Sequence, residues 1–144
     1  MIQSVRRAAQ ILGVLGSGTP RLGHAIVAFL PEGQRTRALA GDLIQLTGQT
    51  KTTRAALSRA LAQVRQRGYA VEDQEATVGD AGIAAPIVSR DSVVAGAIGV
   101  VGAADRLLAP EARDELVREV LGTARAVSRD LGAGRGGVVL SALS

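Results

Sequence analysis

The sequence predicts an α+β domain, an antiparallel sheet packed with helices. Residues 81–89 and 93–101 are rich in Ile and Val and are separated only by Arg90-Asp91-Ser92, the pattern of a hairpin. On both sides of them, apolar residues recur every three or four positions, the helical period. The chain has 144 residues, 47% hydrophobic and 21% charged, which allows one modest core and argues against wholesale disorder.

The elements follow in order. Residues 4–15 form a short helix, with Ile2, Val5, Ala9 and Leu12 on one face and Ser4 as a cap. Gly13, Gly16, Gly18 and Pro20 then make a turn or linker. An apolar segment over residues 22–30 is stopped by Pro31, which has no N–H to give to a helix interior. A helix over residues 34–46 places Leu39, Leu43 and Leu46 on one side, and residues 47–50 form a loop. The next helix, residues 52–67, buries Leu57, Ala60, Leu61 and Val64, with Gly68 placed for a left-handed cap. The hairpin follows; Gly96, Gly99 and Gly102 either weaken its second strand or mark where something approaches its backbone closely. The last helix, residues 110–131, has Pro110 and Glu111 at its start, Arg125 and Arg129 near its end and Gly132 beyond. Leu116, Val120, Ala124, Val127 and Leu131 are its stripe. Residues 132–137 are glycine-rich and 138–143 form a small apolar tail.

Composition restricts the functions available. With 1% aromatic residues the core is built from Ala, Val, Leu and Ile, and a single-strand stacking platform is excluded. The absence of Cys removes disulfides, thiolate metal sites and cysteine nucleophiles, and leaves the redox compartment open. The start of the chain lacks the layout of a secretory signal, and the charge-free stretch 92–104 falls well short of the roughly 20 apolar residues of a membrane span. A soluble, cytoplasmic protein is therefore expected. Residues 1–67 carry ten basic and two acidic groups, whereas residues 68–144 carry seven and eleven. Such asymmetry marks either nucleic-acid contact or two surfaces that attract each other within a dimer.

No motif supplies a catalytic constellation. Gly13-Val-Leu-Gly-Ser-Gly18 follows no strand, and Gly48-Gln-Thr-Lys51-Thr52 lacks the Gly-Lys-Ser/Thr spacing of a phosphate loop; both are ordinary linkers. His24, the single histidine, has no local partner or nucleophile and is a structural or surface residue. Glu72, Asp73 and Glu75 are expected on a solvated strand edge, the alternative being a metal-assisted acid/base site.

One stretch resembles a known family. Arg67-Gly-Tyr-Ala-Val-Glu-Asp-Gln-Glu75, Gly79, Ile83-Ala-Ala-Pro-Ile87, Val93-Val-Ala95 and Val100-Val-Gly102 occur in the order found in the effector-binding half of IclR-type transcriptional regulators. Leu22-Gly-His-Ala-Ile-Val-Ala-Phe-Leu-Pro31 resembles that family's Leu-Gly-Lys-Ala helix. Gln3-Ser-Val-Arg-Arg-Ala-Ala-Gln-Ile-Leu12 resembles the first helix of its winged helix-turn-helix. The resemblance implies a GAF-like effector domain over residues 19–134. A helix-and-linker remnant of the DNA-reading domain occupies 1–18, and a flexible tail 135–144. The turn, recognition helix and wing have no counterpart, so a complete major-groove reader is not expected.

By the same resemblance, the ligand site maps to the amides of Arg21 and Leu22 and to Glu72, Gly82, Gly99 and Val101. The family's Cys and two Ser have become Gly82, Gly99 and Val101, which implies a roomier, less polar pocket, or a filled core without ligand. Ile83-Ala-Ala-Pro86 is expected as a central strand facing a cavity. The function implied is a non-enzymatic small-molecule-sensing or dimerising module, without cofactor or metal. A homodimer or higher oligomer would cover the sheet edge left open by missing strands. The alternatives are DNA binding as a dimer through the Arg-rich first half, and a metal-assisted enzyme using Glu72 or Asp73.

Overall fold

The computed structural model describes residues 20–40 and 47–132. The helix expected over residues 4–15, the linker over 13–18, Leu43, Leu46 and the tail lie outside them. Eight elements follow one another: α1 (Pro20–Val27), α2 (Glu32–Ala38), α3 (Arg54–Arg67), β1 (Ala70–Asp73), β2 (Asp80–Val88), β3 (Val94–Ala103), α4 (Ala104–Leu107) and α5 (Pro110–Asp130).

Local chemistry sets most of the boundaries. α1 ends at Val27 rather than running to Pro31, because Leu30, placed before a proline, disfavours the helical region. The chain tightens there instead, with Phe29 N–H donating to the Ile26 carbonyl and Leu30 N–H to that of Val27. α2 begins earlier than residue 34 and stops at Ala38, with Leu39 as its C-cap, so the expected continuous helix to residue 46 is not observed. α3 starts at Arg54 because Thr53 is extended and its hydroxyl accepts the Ala56 N–H, a side-chain cap. It ends at Gly68, which adopts φ 87° and closes the helix by donating to the Val64 carbonyl.

The three strands form one antiparallel sheet in the order β1-β2-β3, with Ile83-Ala-Ala-Pro86 in the central strand. Alternation along β2 divides the core in two. Ala81, Ile83, Ala85 and Ile87 join Ile98, Leu107, Val120, Ala124 and Val127 in a cluster beneath α4 and α5. On the other face Ala84, Ala70 and Ala97 pack with Ala25 and Ala28 of α1 and with Leu57, Leu61 and Val64 of α3. All of β2 from Ala81 to Val88 is buried.

Two packing details hold the layers in register. The β2–β3 register shifts between Ile87 and Val88, and the Val88 N–H donates to Ser128 Oγ at 3.0 Å while that hydroxyl donates to the Ala124 carbonyl. At Gly99 a Cβ would lie 2.5 Å from the Ile83 carbonyl oxygen and 3.0 Å from the Ala84 Cβ. Of the two roles expected for the strand glycines, close backbone approach holds here. Leu131, expected in the buried stripe of α5, is 47% exposed, because the helix by then has passed the last residue of β2.

Gly99→Ala is therefore expected to destabilise the domain by about 1–3 kcal/mol, the range for overpacking a closed site. Gly122 sits on the exposed face of α5 with nothing within 4 Å of a built Cβ, so Gly122→Ala should stabilise by about 1 kcal/mol. Urea titrations of the two variants give opposite signs if the packing is as described, and equal signs if it is not.

Candidate functional site

Three of the residues singled out from the sequence lie in one line across the sheet. Glu72 of β1 pairs with Gly82 of β2, which pairs with Val101 of β3. Gly99 falls in the neighbouring row, opposite Ala84 and on the same face. α1 packs against all three strands from that side. Arg21 and Leu22 lie within its first turn rather than before it, and first-turn N–H groups have no acceptor inside an α-helix.

The burial of these residues differs from the sequence expectation. Glu72 is 1% exposed and Glu75 6%, so neither sits on a solvated edge; only Asp73 is exposed. Val101, by contrast, is 57% exposed. At Gly99 the Ile83 carbonyl of the adjacent strand already occupies the space a side chain would need. On the α5 side, the crevice beside Ala85 and Pro86 measures about 10 Å³, room for one water. A shallower crevice of about 470 Å³, lined by Asp73, Gln74, Gly79, Ala104, Asp105 and Leu108, lies where β1 ends and α4 begins.

A polar cluster that the sequence did not disclose adjoins Glu72. Lys51 Nζ pairs with Glu75 Oε1. The turn carrying Lys51 is bound to the bend after β1. The Thr47 hydroxyl donates to the Gln74 carbonyl at 2.6 Å and the Thr50 hydroxyl to that of Glu75 at 2.5 Å. Glu72 Oε1 accepts the Ala76 N–H at 2.8 Å and holds the bend from the other side. Gly48-Gln-Thr-Lys51 is thus a clamp, and neither a phosphate loop nor a free linker. No local signal marks it, because its partners lie more than 20 residues away. Among the described residues, no group of three or more His, Cys, Asp or Glu side chains could hold a metal ion.

Four arginines among the described residues of the first half brace the chain itself. Arg35, Arg54, Arg65 and Arg67 donate to the carbonyls of Leu30, Ala40, Ala28 and Tyr69 respectively. Such bracing leaves less of each guanidinium for a phosphate backbone.

His24, half-buried on α1, completes the cluster. Burial lowers its pKa from the ordinary 6.5; the Glu75 and Glu72 carboxylates oppose that and the Lys51 ammonium adds to it. In the pH window just below 6.5 the unfolded chain therefore binds more protons at His24 than the folded one, and folding weakens as pH falls. Melting temperature should accordingly drop from pH 7 to pH 5 more steeply in the wild type than in His24→Gln. Equal slopes would remove His24 from the cluster's electrostatics.

Comparison with known proteins identifies this arrangement. Residues 19–129 match the family described as bacterial transcriptional regulator IclR C-terminal. The chain is 44% identical over 114 residues to a glycerol operon regulatory protein of Streptomyces griseus, covering 78% of this chain and 44% of that protein. It is 43% identical over 115 residues to one of Streptomyces coelicolor, covering 79% of this chain and 45% of that protein. It thus spans less than half the length of these relatives. The crystal structure of Thermotoga maritima IclR superposes with a TM-score of 0.74 at 29% identity, over 78% of this chain and 45% of that one. The C-terminal domain of the Escherichia coli regulator KdgR does so with 0.72 at 26%, over 78% and 68%. Among the described residues no helix is long and apolar enough to cross a membrane. With most of its length matched in sequence and in fold, the chain belongs to the IclR family of bacterial transcriptional regulators, through their C-terminal domain.

Proposed function

We propose that residues 19–134 are the sensing and self-associating part of such a regulator. In this reading they bind a small metabolite on the α1 side of the sheet and perform no chemistry of their own. The observation that carries this reading is the Glu72–Gly82–Val101 row, which gathers residues from three strands under one helix. The first-turn amides of Arg21 and Leu22 add donors from above, and Gly99 keeps the adjacent row low. Recognition fits this set better than catalysis, since no nucleophile stands beside a base. The 44% and 43% identical relatives are glycerol operon regulatory proteins, which supports glycerol utilisation as the process controlled and the cytoplasm as the place of action.

Self-association would use the outer edge of β3. That strand has ten residues, none of them charged, and carries no strand partner on its outer side among the described residues. Val93 beside it is 59% exposed. An open, uncharged edge of that length is one that folded proteins ordinarily cover or pair.

The test is a melting-temperature screen with small polyols, their phosphates and small carboxylic acids. A ligand at a hundred-fold excess over its Kd adds about 2.7 kcal/mol to the folded state. At least one compound should raise the melting temperature by several degrees, and Val101→Trp, at an exposed position of the row, should abolish the rise. A wild-type chain that no compound stabilises contradicts the reading.

A further inference from the structure

We propose that two copies of this chain pair antiparallel along the outer edges of β3, in the register that sets Val100 opposite the partner's Val100 and Val101 opposite the partner's Gly99. The proposal gives the self-association read above its register and its symmetry, and rests on that reading.

The ladder with β2 determines which groups of β3 point outward. Ala104 N–H donates to the Gly79 carbonyl at 2.8 Å, and Asp80 stands opposite Ala103. Bonded and non-bonded pairs alternate along an antiparallel ladder, so Ile98, Val100 and Gly102 turn their backbone groups to β2. Ala97, Gly99, Val101 and Ala103 turn theirs away. The register shift falls opposite residues 94–96, before that run.

The two edges of the sheet are not alike. β1 has four residues, among them the charged Glu72 and Asp73, and the Thr47 and Thr50 hydroxyls bind the bend that follows it. β3 has ten residues and neither a charge nor a proline, the devices that keep an edge from pairing. Among the described residues no strand pairs with its outer side.

This edge is complementary to itself. Around a two-fold axis at Val100, Ala97 meets the partner's Ala103 and Gly99 meets the partner's Val101, so every outward residue finds an outward residue. Sliding the register by one pair sets Ala103 against the partner's irregular stretch in one direction, and Ala97 against the partner's α4 in the other. Side chains agree with the central register. Val101 is 57% exposed and lies across from a glycine with no Cβ to obstruct it. Val100, half-buried against the α5 cluster, meets its own copy at about 4.5 Å between Cα atoms, a β-branched pair. Arg90-Asp91 precedes β3 and Asp105-Arg106 follows it, so antiparallel pairing brings no block of like charge together.

The test is disulfide trapping and sedimentation of the full chain, which has no cysteine of its own. With copper phenanthroline as oxidant, Val100→Cys should become a covalent dimer. Val101→Cys should be trapped at least tenfold more slowly, although Val101 is the more exposed. Its two copies lie about 7–8 Å apart on the diagonal, outside the roughly 4.4–6.8 Å that a disulfide spans. Val101→Pro removes an outward N–H and leaves the ladder with β2 whole, so it should remain folded and raise the dimer's Kd about tenfold or more. Melting curves show which variants fold, and if one does not, the other decides. Faster trapping through Val101 than through Val100 overturns the inference, as does a dimer that Val101→Pro leaves intact; self-association by another surface then stands. A wild type that sediments as a monomer, as it would with the edge covered by another part of the chain, overturns the inference and self-association together, and the melting screen still decides ligand binding.

Discussion

β2 is buried on both faces along almost its whole length, and the remaining elements are arranged to cover it. A chain with 1% aromatic residues cannot fill the two adjoining layers with large rings, so it closes them by approach. The two faces solve this differently. Towards α5 the strand presents Ile83 and Ile87, met by Val120 and Val127. Towards α1 it presents Ala84, clustered with Ala25 and Ala28, neither of which has any exposed surface. The α1 side is thereby built of small residues, and helix and sheet backbones come close together there. Within the sheet, Gly99 lies so close to β2 that the Ile83 carbonyl already stands in the place of a methyl group.

The polar cluster stands at the margin of that small-residue layer. Buried carboxylates stabilise a fold poorly in themselves, since desolvation offsets much of their attraction to a partner. Here the carboxylates are retained and held by specific contacts: Glu75 by Lys51, and Glu72 by the Ala76 N–H. The same contacts link the 47–51 turn to the bend after β1, and His24 of α1 lies near enough to feel the charges of Glu72, Glu75 and Lys51. A molecule entering between α1 and the sheet would therefore meet groups whose positions are coupled.

How much of this was legible in the sequence depends on whether the controlling contact is local. The hairpin and α5 follow from periodicity and capping residues, and both lie within two residues of their expected limits. α3 begins at Arg54 and not at residue 52 because Thr53 makes the cap. α4 went unrecognised, being a single turn of four residues and too short for any period. α2 is shorter than the leucine spacing suggests, because the chain turns at Leu39 and Ala40. The row of Glu72, Gly82 and Val101 came from the family resemblance, and the pairing register supplies its geometry. The burial of Glu72 and Glu75 was misjudged for a physical reason: Glu75 is covered through Lys51, 24 positions earlier, and no local pattern encodes that meeting.

The central claim is that the side of the sheet beneath α1 is where a small molecule is received. A crystal structure of the chain soaked with the compound that most raises its melting temperature tests this most directly. Density between the first turn of α1 and the Glu72–Gly82–Val101 row is the predicted result. Density in the crevice lined by Asp73 and Asp105, or on the α5 face beside Pro86, would contradict the account.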